Sequence, residues 1–214
     1  MEFLYKIFAG VLNELYSITG NFGLAIIGIT VLVKLVTLPL TLKQDKSMRS
    51  MKDIQPEIDA IKTKYKDDAK MINQKTMELY QEKKINPAAG CLPLIIQMPI
   101  LFALFGILRV DAAGNFVYLP EIPGNIKFLW MTMNVPDQFY ILPVLNGILS
   151  FLQQKLTGSG DSNPQMKNMM YMFPIMMIFI SYKMPAGLQV YWVVSSLAGI
   201  VQQYWIIKKG EKKN

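Results

Sequence analysis

Apolar residues gather along this chain in five runs, Phe22 to Leu42, Cys91 to Leu108, Tyr140 to Leu156, Met169 to Tyr182 and Gly187 to Ile207, and the segments between them hold nearly all of the charge. A helix needs about 20 predominantly apolar residues to cross a hydrocarbon core of about 30 Å. The pattern predicts an all-α polytopic membrane protein with five transmembrane helices, over 22–42, 88–109, 140–156, 169–183 and 187–207, the fourth being short.

The segments outside these runs carry their own periodicity. In residues 1–20, Leu4, Phe8, Val11 and Leu15 fall on one helical face and Lys6, Asn13 and Glu14 fall off it, which predicts an amphipathic helix lying in the membrane interface. Its acidic residues and broken apolar run make a poor secretory leader. In residues 43–84, Met48, Met51, Ile54, Ile58, Ile61 and Tyr65 recur at helical spacing, followed by Ile72, Thr76 and Leu79. Lys66-Asp67-Asp68 reads as the turn of a charged helical hairpin, with Pro56 kinking or restarting the first arm. A solvated charged loop with local helix is the plainer alternative. Residues 110–139, rich in Gly, Pro and Asn with Phe116, Tyr118, Phe128, Trp130 and Phe139, suit a loop dipping into the outer interface. Residues 157–168 read as a flexible inner loop, and 208–214 as a basic tail.

Composition supports the membrane reading, with 52% hydrophobic residues and a mean hydropathy of +0.27. Charge then orients it, because cytoplasmic loops are enriched in Lys and Arg. With the N-terminus outside, the inner segments hold eleven basic residues (43–84), two (Lys155, Lys167) and four (Lys208, Lys209, Lys212, Lys213), while the outer ones hold Lys6, Arg109, Lys127 and Lys183. Seventeen against four places the C-terminus in the cytoplasm.

Lys34 stands near the middle of the first span, where a charge costs roughly 2.5 to 3.5 kcal/mol on insertion scales and normally faces water or a partner. Thr30, Lys34, Thr37 and Thr41 are spaced four, three and four apart and share one face. They predict a wet, positively charged cavity; the competing reading is a lysine snorkelling to the near interface. The third span repeats that spacing with Asn146, Ser150, Gln153 and Thr157, with Gln154 alongside. The second span has Gln97 between Pro93 and Pro99, and the fifth has Gln189, Ser195, Ser196, Gln202 and Gln203 around Tyr191 and Trp192. Ordinary interhelical hydrogen bonding, worth about 0.6 kcal/mol per pair, explains any single amide equally well. The joint pattern with Lys34 favours one shared groove.

The chain has no histidine, one cysteine (Cys91), and no Asp or Glu in any span, so a metal site or an intramembrane carboxylate pair is improbable and no cofactor is implied. Cys91 reads as a small packing residue, and the methionines of the fourth span (Met169, Met170, Met172, Met176, Met177) as packing or a pliable apolar surface. Two other classes draw on the same residues. An intramembrane hydrolase would use Lys34 as base for Ser195 or Ser196, and a solute transporter or ion channel would use the polar stripe as a pathway. The lack of a nucleophile motif, of internal repeats and of acidic residues in the spans weighs against both.

In order along the chain stand KLVTLPLTLKQ (34–44), MKDIQPEIDAIKTKY (51–65), INPAAGCLPLIIQMPILFALF (85–105), YILPVLNGILSFLQQK (140–155) and PAGLQVYWVVSSLAGIVQQ (185–203). This series resembles the YidC family of membrane protein insertases over nearly the whole chain. The resemblance implies a five-helix bundle around a hydrophilic groove open to the cytoplasm and to lipid, the minimal core of the family. It implies a non-enzymatic insertase and chaperone whose partners are nascent membrane proteins, the lipid bilayer and the ribosome, with or without the Sec translocon. Nucleic acid would enter only as ribosomal RNA at the basic tail. The resemblance places substrate-contacting aromatics at Tyr191 and Trp192 and groove amides at Gln97 and Gln154; the polar stripes add Lys34, Thr30, Thr37, Asn146, Ser150, Gln189 and Ser195 to the expected groove. Many family members carry Arg where Lys34 stands; lysine keeps the charge but not the planar, multi-donor fork.

Overall fold

A computed structural model of the chain describes residues 2–66, 68–86, 92–111, 114–120, 122–123, 126–157 and 164–211. Among these the elements run α1 (Glu2–Thr19), α2 (Phe22–Asp53), α3 (Gln55–Lys64), α4 (Ala69–Glu82), α5 (Leu92–Ile107), β1 (Lys127–Phe128), β2 (Met131–Thr132), α6 (Ile141–Thr157), α7 (Pro164–Ser181) and α8 (Ala186–Glu211). Cys91, the stretch 158–163 of the loop after α6, and Lys212 and Lys213 of the tail lie outside the described residues. The chain forms two compact units, one of residues 1–36 and 98–214 and one of residues 37–97.

In the first unit α1 and α2 are joined by Gly20, whose φ of +63° suits glycine, and the Asn21 side chain then accepts from the amide of Leu24 at 3.1 Å to cap α2. The buried face of α1 runs through Ala9 and Leu12, one residue on from the face that spacing suggested, and Leu12 is wholly buried. Tyr5 lies against Gly106 and 5.0 Å from the Tyr118 ring, while Leu15 lies over Gly28. So α1 packs on protein as well as on any interface. The loop before α6 adds its own core residues, Phe116, Leu119, Ile122, Met131 and Met133, all buried, with Phe116 5.3 Å from the Phe22 ring.

The antiparallel β1–β2 ribbon is pinned to the start of α8. The amides of Ala186 and Gly187, which have no intrahelical acceptor at a helix N-terminus, donate to the carbonyls of Val135 (2.7 Å) and Met133 (2.9 Å). Asp137 caps α6 in turn. Its buried carboxylate accepts from Trp130 Nε1 at 3.0 Å, the Phe139 amide at 3.1 Å and the Leu142 amide at 2.8 Å. Beyond this capped end, α6 packs along both α7 and α8. Glycines permit the approach: a methyl group on Gly147 would meet Ile178 and the Pro174 carbonyl, and one on Gly199 would meet the Gln153 amide.

The second unit is a hairpin with a different interior. Helix α2 does not stop at Leu42 but runs through Pro39 to Asp53, so the first arm foreseen from periodicity is divided between the end of α2 and α3. The break falls at Ile54, with Pro56 in the first turn of α3, where its missing N–H costs nothing. Asp68 caps α4 by accepting from the Met71 amide at 2.9 Å. Ile54, Ile58 and Leu79 form a small core bordered by Ile61, Tyr80 and Ile85, and Lys83 reaches Glu57 across the arms at 2.8 Å. Helix α4 closes in a Schellman motif, the Ile85 amide donating to Tyr80 (2.9 Å) and the Lys84 amide to Gln81 (3.1 Å). That places Lys84 at φ +54°, a conformation costing a residue with a Cβ about 1 to 2 kcal/mol and normally given to glycine.

Candidate functional site: an inward polar face

The helices of the first unit bury polar side chains beside their apolar core and turn further apolar residues outward. On α2, Val31, Leu32, Leu35 and Val36 are exposed, Val36 at 78%, while Thr30 is buried and Lys34 half-buried. On α6, Val144, Ile148 and Leu152 face out and Asn146 and Ser150 are buried. On α8, Leu197, Val201, Tyr204 and Trp205 face out, Val201 at 68%, and Gln189, Ser195 and Gln203 are buried. An exposed apolar surface of this extent suits surroundings that are themselves apolar.

The inward residues form a partial network. Asn146 Nδ2 donates to Ser181 Oγ at 3.0 Å and to the Gln189 carbonyl at 3.4 Å, joining α6, α7 and α8. Gln189 Nε2 donates to the Met184 carbonyl at 2.7 Å. The amide oxygens Oδ1 of Asn146 and Oε1 of Gln189 are buried and accept from no donor among the described residues, leaving unspent hydrogen-bonding capacity in the core of the bundle. Thr30 spends its hydroxyl on its own helix, donating to the Ile26 carbonyl at 2.6 Å, as Thr41 does to Leu38 at 2.9 Å.

Of the residues singled out from sequence, Asn146 and Gln189 are joined directly by the Asn146 hydrogen bond. Ser150 and Ser195 are buried and Gln154 half-buried on the same helices. Thr37 and Gln97 belong to the second unit, where each is half-buried. Tyr191 is only 1% exposed, so of the aromatic pair Trp192 alone presents surface. Three residues of structural weight escaped sequence reasoning. Ser181 is the partner of Asn146; its signal was a serine closing the apolar stretch Met170–Ser181. Asp137 was foreshadowed by a carboxylate a few residues before a helix. Gly199, which admits Gln153, had no signal short of the helix register itself.

These features define a mostly helical membrane protein whose apolar core also encloses polar side chains. Among the described residues one helix, Phe22–Asp53, is long and apolar enough by composition to cross a membrane, and Gln97–Ile107 and Met170–Ser181 are shorter apolar stretches. Residues 14–213 match the family model described as 60Kd inner membrane protein, and the chain belongs to that family. It is 56% identical over 214 residues to the membrane protein insertase YidC of Fusobacterium nucleatum, covering 98% of this chain and all of that one. It is 41% identical over 209 residues to the YidC of Oleidesulfovibrio alaskensis, covering 97% of this chain and 39% of the relative. It thus spans the full length of one relative and about two-fifths of the other. A crystal structure of an active YidC insertase superposes with a TM-score of 0.69 at 28% identity, over 93% of this chain and 46% of that one. These relatives lend no support to the hydrolase or the transporter.

Proposed function

We propose that this chain inserts newly made membrane proteins through a polar face assembled on α2, α6 and α8, with Lys34 as its cation. Its family makes it a membrane protein insertase acting on nascent membrane proteins. The finer reading takes α2, α5, α6, α7 and α8 as five spans of the bacterial cytoplasmic membrane, N-terminus outside and C-terminus inside, supported by seventeen basic residues in the inner segments against four in the outer.

A client's hydrophilic tail must cross about 30 Å of hydrocarbon that offers it no hydrogen bonds. A face of amides, hydroxyls and one ammonium shortens that dry path. Acidic tail residues are drawn towards Lys34, and the client's apolar segment leaves along the exposed apolar faces of α2, α6 and α8. The attraction has to stay weak for release, and a hydrated face with a high effective dielectric keeps it so. The driving free energy is transfer of apolar surface into lipid, together with the membrane potential acting on a negatively charged tail at about 2.3 kcal/mol per charge per 100 mV. No covalent step is needed. In this reading the hairpin receives clients from the ribosome or the Sec translocon, and the basic tail adds nonspecific attraction to ribosomal RNA or anionic lipid.

The observation that carries the proposal is the burial of Asn146, Ser150, Gln189 and Ser195 beneath an apolar exterior. The test is insertion of a single-span client with an acidic outward tail into liposomes containing only this protein, with Lys34→Ala, Lys34→Arg and Lys34→Glu. Insertion is expected to persist in the arginine variant and to fail in the other two. Full insertion by all of them removes Lys34 from the mechanism.

A further inference from the structure

The second unit contains a cavity of about 420 Å³ whose rim carries Lys43, Lys46, Lys83 and Lys84 against a single carboxylate, Asp53. Its volume falls in the small-ligand range of about 300 to 1,000 Å³. Lys43, Lys46, Ser47 and Ser50 follow one another on one face of α2, and Lys83 and Lys84, which follow α4, complete the lining with Ile54 and Ile85. The Ser50 hydroxyl donates to the Lys46 carbonyl at 3.2 Å, and Lys83 is oriented by its ion pair with Glu57 at 2.8 Å.

The geometry points to a binding site for the phosphodiester head group of an anionic phospholipid, which anchors the hairpin to the membrane surface. This rests on reading α2 as a membrane span. Two further observations select a lipid. Lys43 is the first residue after the apolar run ending at Leu42, and Lys46 lies about 5 Å beyond it along the helix at about 1.5 Å per residue. The rim is therefore at the height where lipid phosphates lie. Secondly, Lys84 holds a left-handed C′ position for which glycine is the preferred residue, so the ammonium it brings to the cavity is held there at a cost to the backbone. Basic pockets at the cytoplasmic ends of membrane helices bind anionic head groups by this chemistry, at roughly fivefold in affinity per lysine.

Lys84→Gly separates the site from the fold, because it relieves the backbone while removing the charge. The full-length protein is titrated with phosphatidylglycerol or phosphatidylcholine and bound lipid counted by native mass spectrometry. Preference for phosphatidylglycerol is expected in the wild type. It should fall about fivefold in Lys84→Gly and about 25-fold in the Lys43→Gln/Lys84→Gln pair, while the hairpin of Lys84→Gly is at least as resistant to proteolysis as wild type. Lys64→Gln/Lys70→Gln, the same loss of charge elsewhere on the hairpin, should leave the preference intact. Equal loss in that control, or no preference between lipids, overturns the site in favour of diffuse attraction. Competition by glycerol 3-phosphate at the lipid's own concentration assigns the cavity to a soluble phosphate, and tighter lysine-dependent binding of an RNA oligonucleotide assigns it to nucleic acid; either overturns the lipid reading. None of these readouts requires insertion activity, so they fail or succeed apart from the insertase mechanism.

Discussion

In the hairpin, Ile54, Ile58 and Leu79 are turned inward and the ion-paired Lys75, Glu78, Lys83 and Glu57 lie at the surface. On α6 and α8 polar residues, Asn146, Ser150, Gln189 and Ser195, are buried beside Leu149 and Leu188, while Ile148, Leu152, Val201 and Trp205 lie outside. With α6 and α8 as the membrane spans proposed above, the two regions answer to different solvents. Water rewards burial of the three aliphatics, whereas lipid tails are as apolar as leucine, so packing and interhelical hydrogen bonds must hold the bundle instead. Close packing at Gly147 and Gly199 fits that requirement, whereas the hairpin is held by a small aliphatic core.

The contrast breaks most readily at the exteriors. Leu32→Asp, on the exposed face of α2, should cost about 3 kcal/mol of insertion free energy. Ala60→Asp, at an exposed hairpin position, should cost next to nothing; a glycosylation-reporter assay for the first and thermal unfolding for the second decide it. If both are neutral, α2 is not in lipid at Leu32. Next in size, Leu79→Ala should destabilise the hairpin by about 2 kcal/mol through lost burial and a residual cavity, seen as faster proteolysis confined to residues 55–82. Asn146→Ala, which removes the donor shared by Ser181 and the Gln189 carbonyl, should cost only about 0.6 kcal/mol in unfolding from bilayers. A cost several times larger would mean that these amides hold the fold together, leaving them less free to meet clients.

The smallest expected effect is a pH response confined to the hairpin. The Lys75 ammonium, and after it the Gln74 amide, hold the Glu78 carboxyl below its usual range, and the Glu57 carboxylate holds the Lys83 ammonium above its own. A depressed carboxyl contributes stability above its unfolded pKa that is lost as pH falls through the folded value; a raised ammonium contributes below its unfolded pKa and loses it as pH rises through the folded value. Both pairs are exposed, so the effects are slight. Hydrogen exchange, corrected for intrinsic rates, should therefore show hairpin protection declining modestly below about pH 4 and above about pH 10. Amides of α8 from Ala186 to Ile206, which carry no Asp, Glu, Lys, Arg or His, should be unchanged on the acid side of that range.

The sequence by itself determined the membrane class, the helices and the polar stripes, because each is written in local periodicity: apolar runs of span length, polar residues at spacings of three and four, and Pro56 and Asp68 at helix starts. Its ordered motifs, from KLVTLPLTLKQ to PAGLQVYWVVSSLAGIVQQ, were also enough to indicate the family. It did not reveal that α2 continues to Asp53, since charge past Leu42 reads equally as a loop or as a helix leaving the membrane. Only the tertiary structure decided that Tyr191 is buried while Trp192 is half-exposed, that Asn146 bonds to Ser181, that Asp137 gathers three donors, and that lysines some forty residues apart in sequence, Lys43 and Lys84, share one cavity. Periodicity assigns a residue to a face of its own helix. What that face meets depends on how helices distant in the chain are packed, and there the glycines, caps and chain reversals have the deciding part.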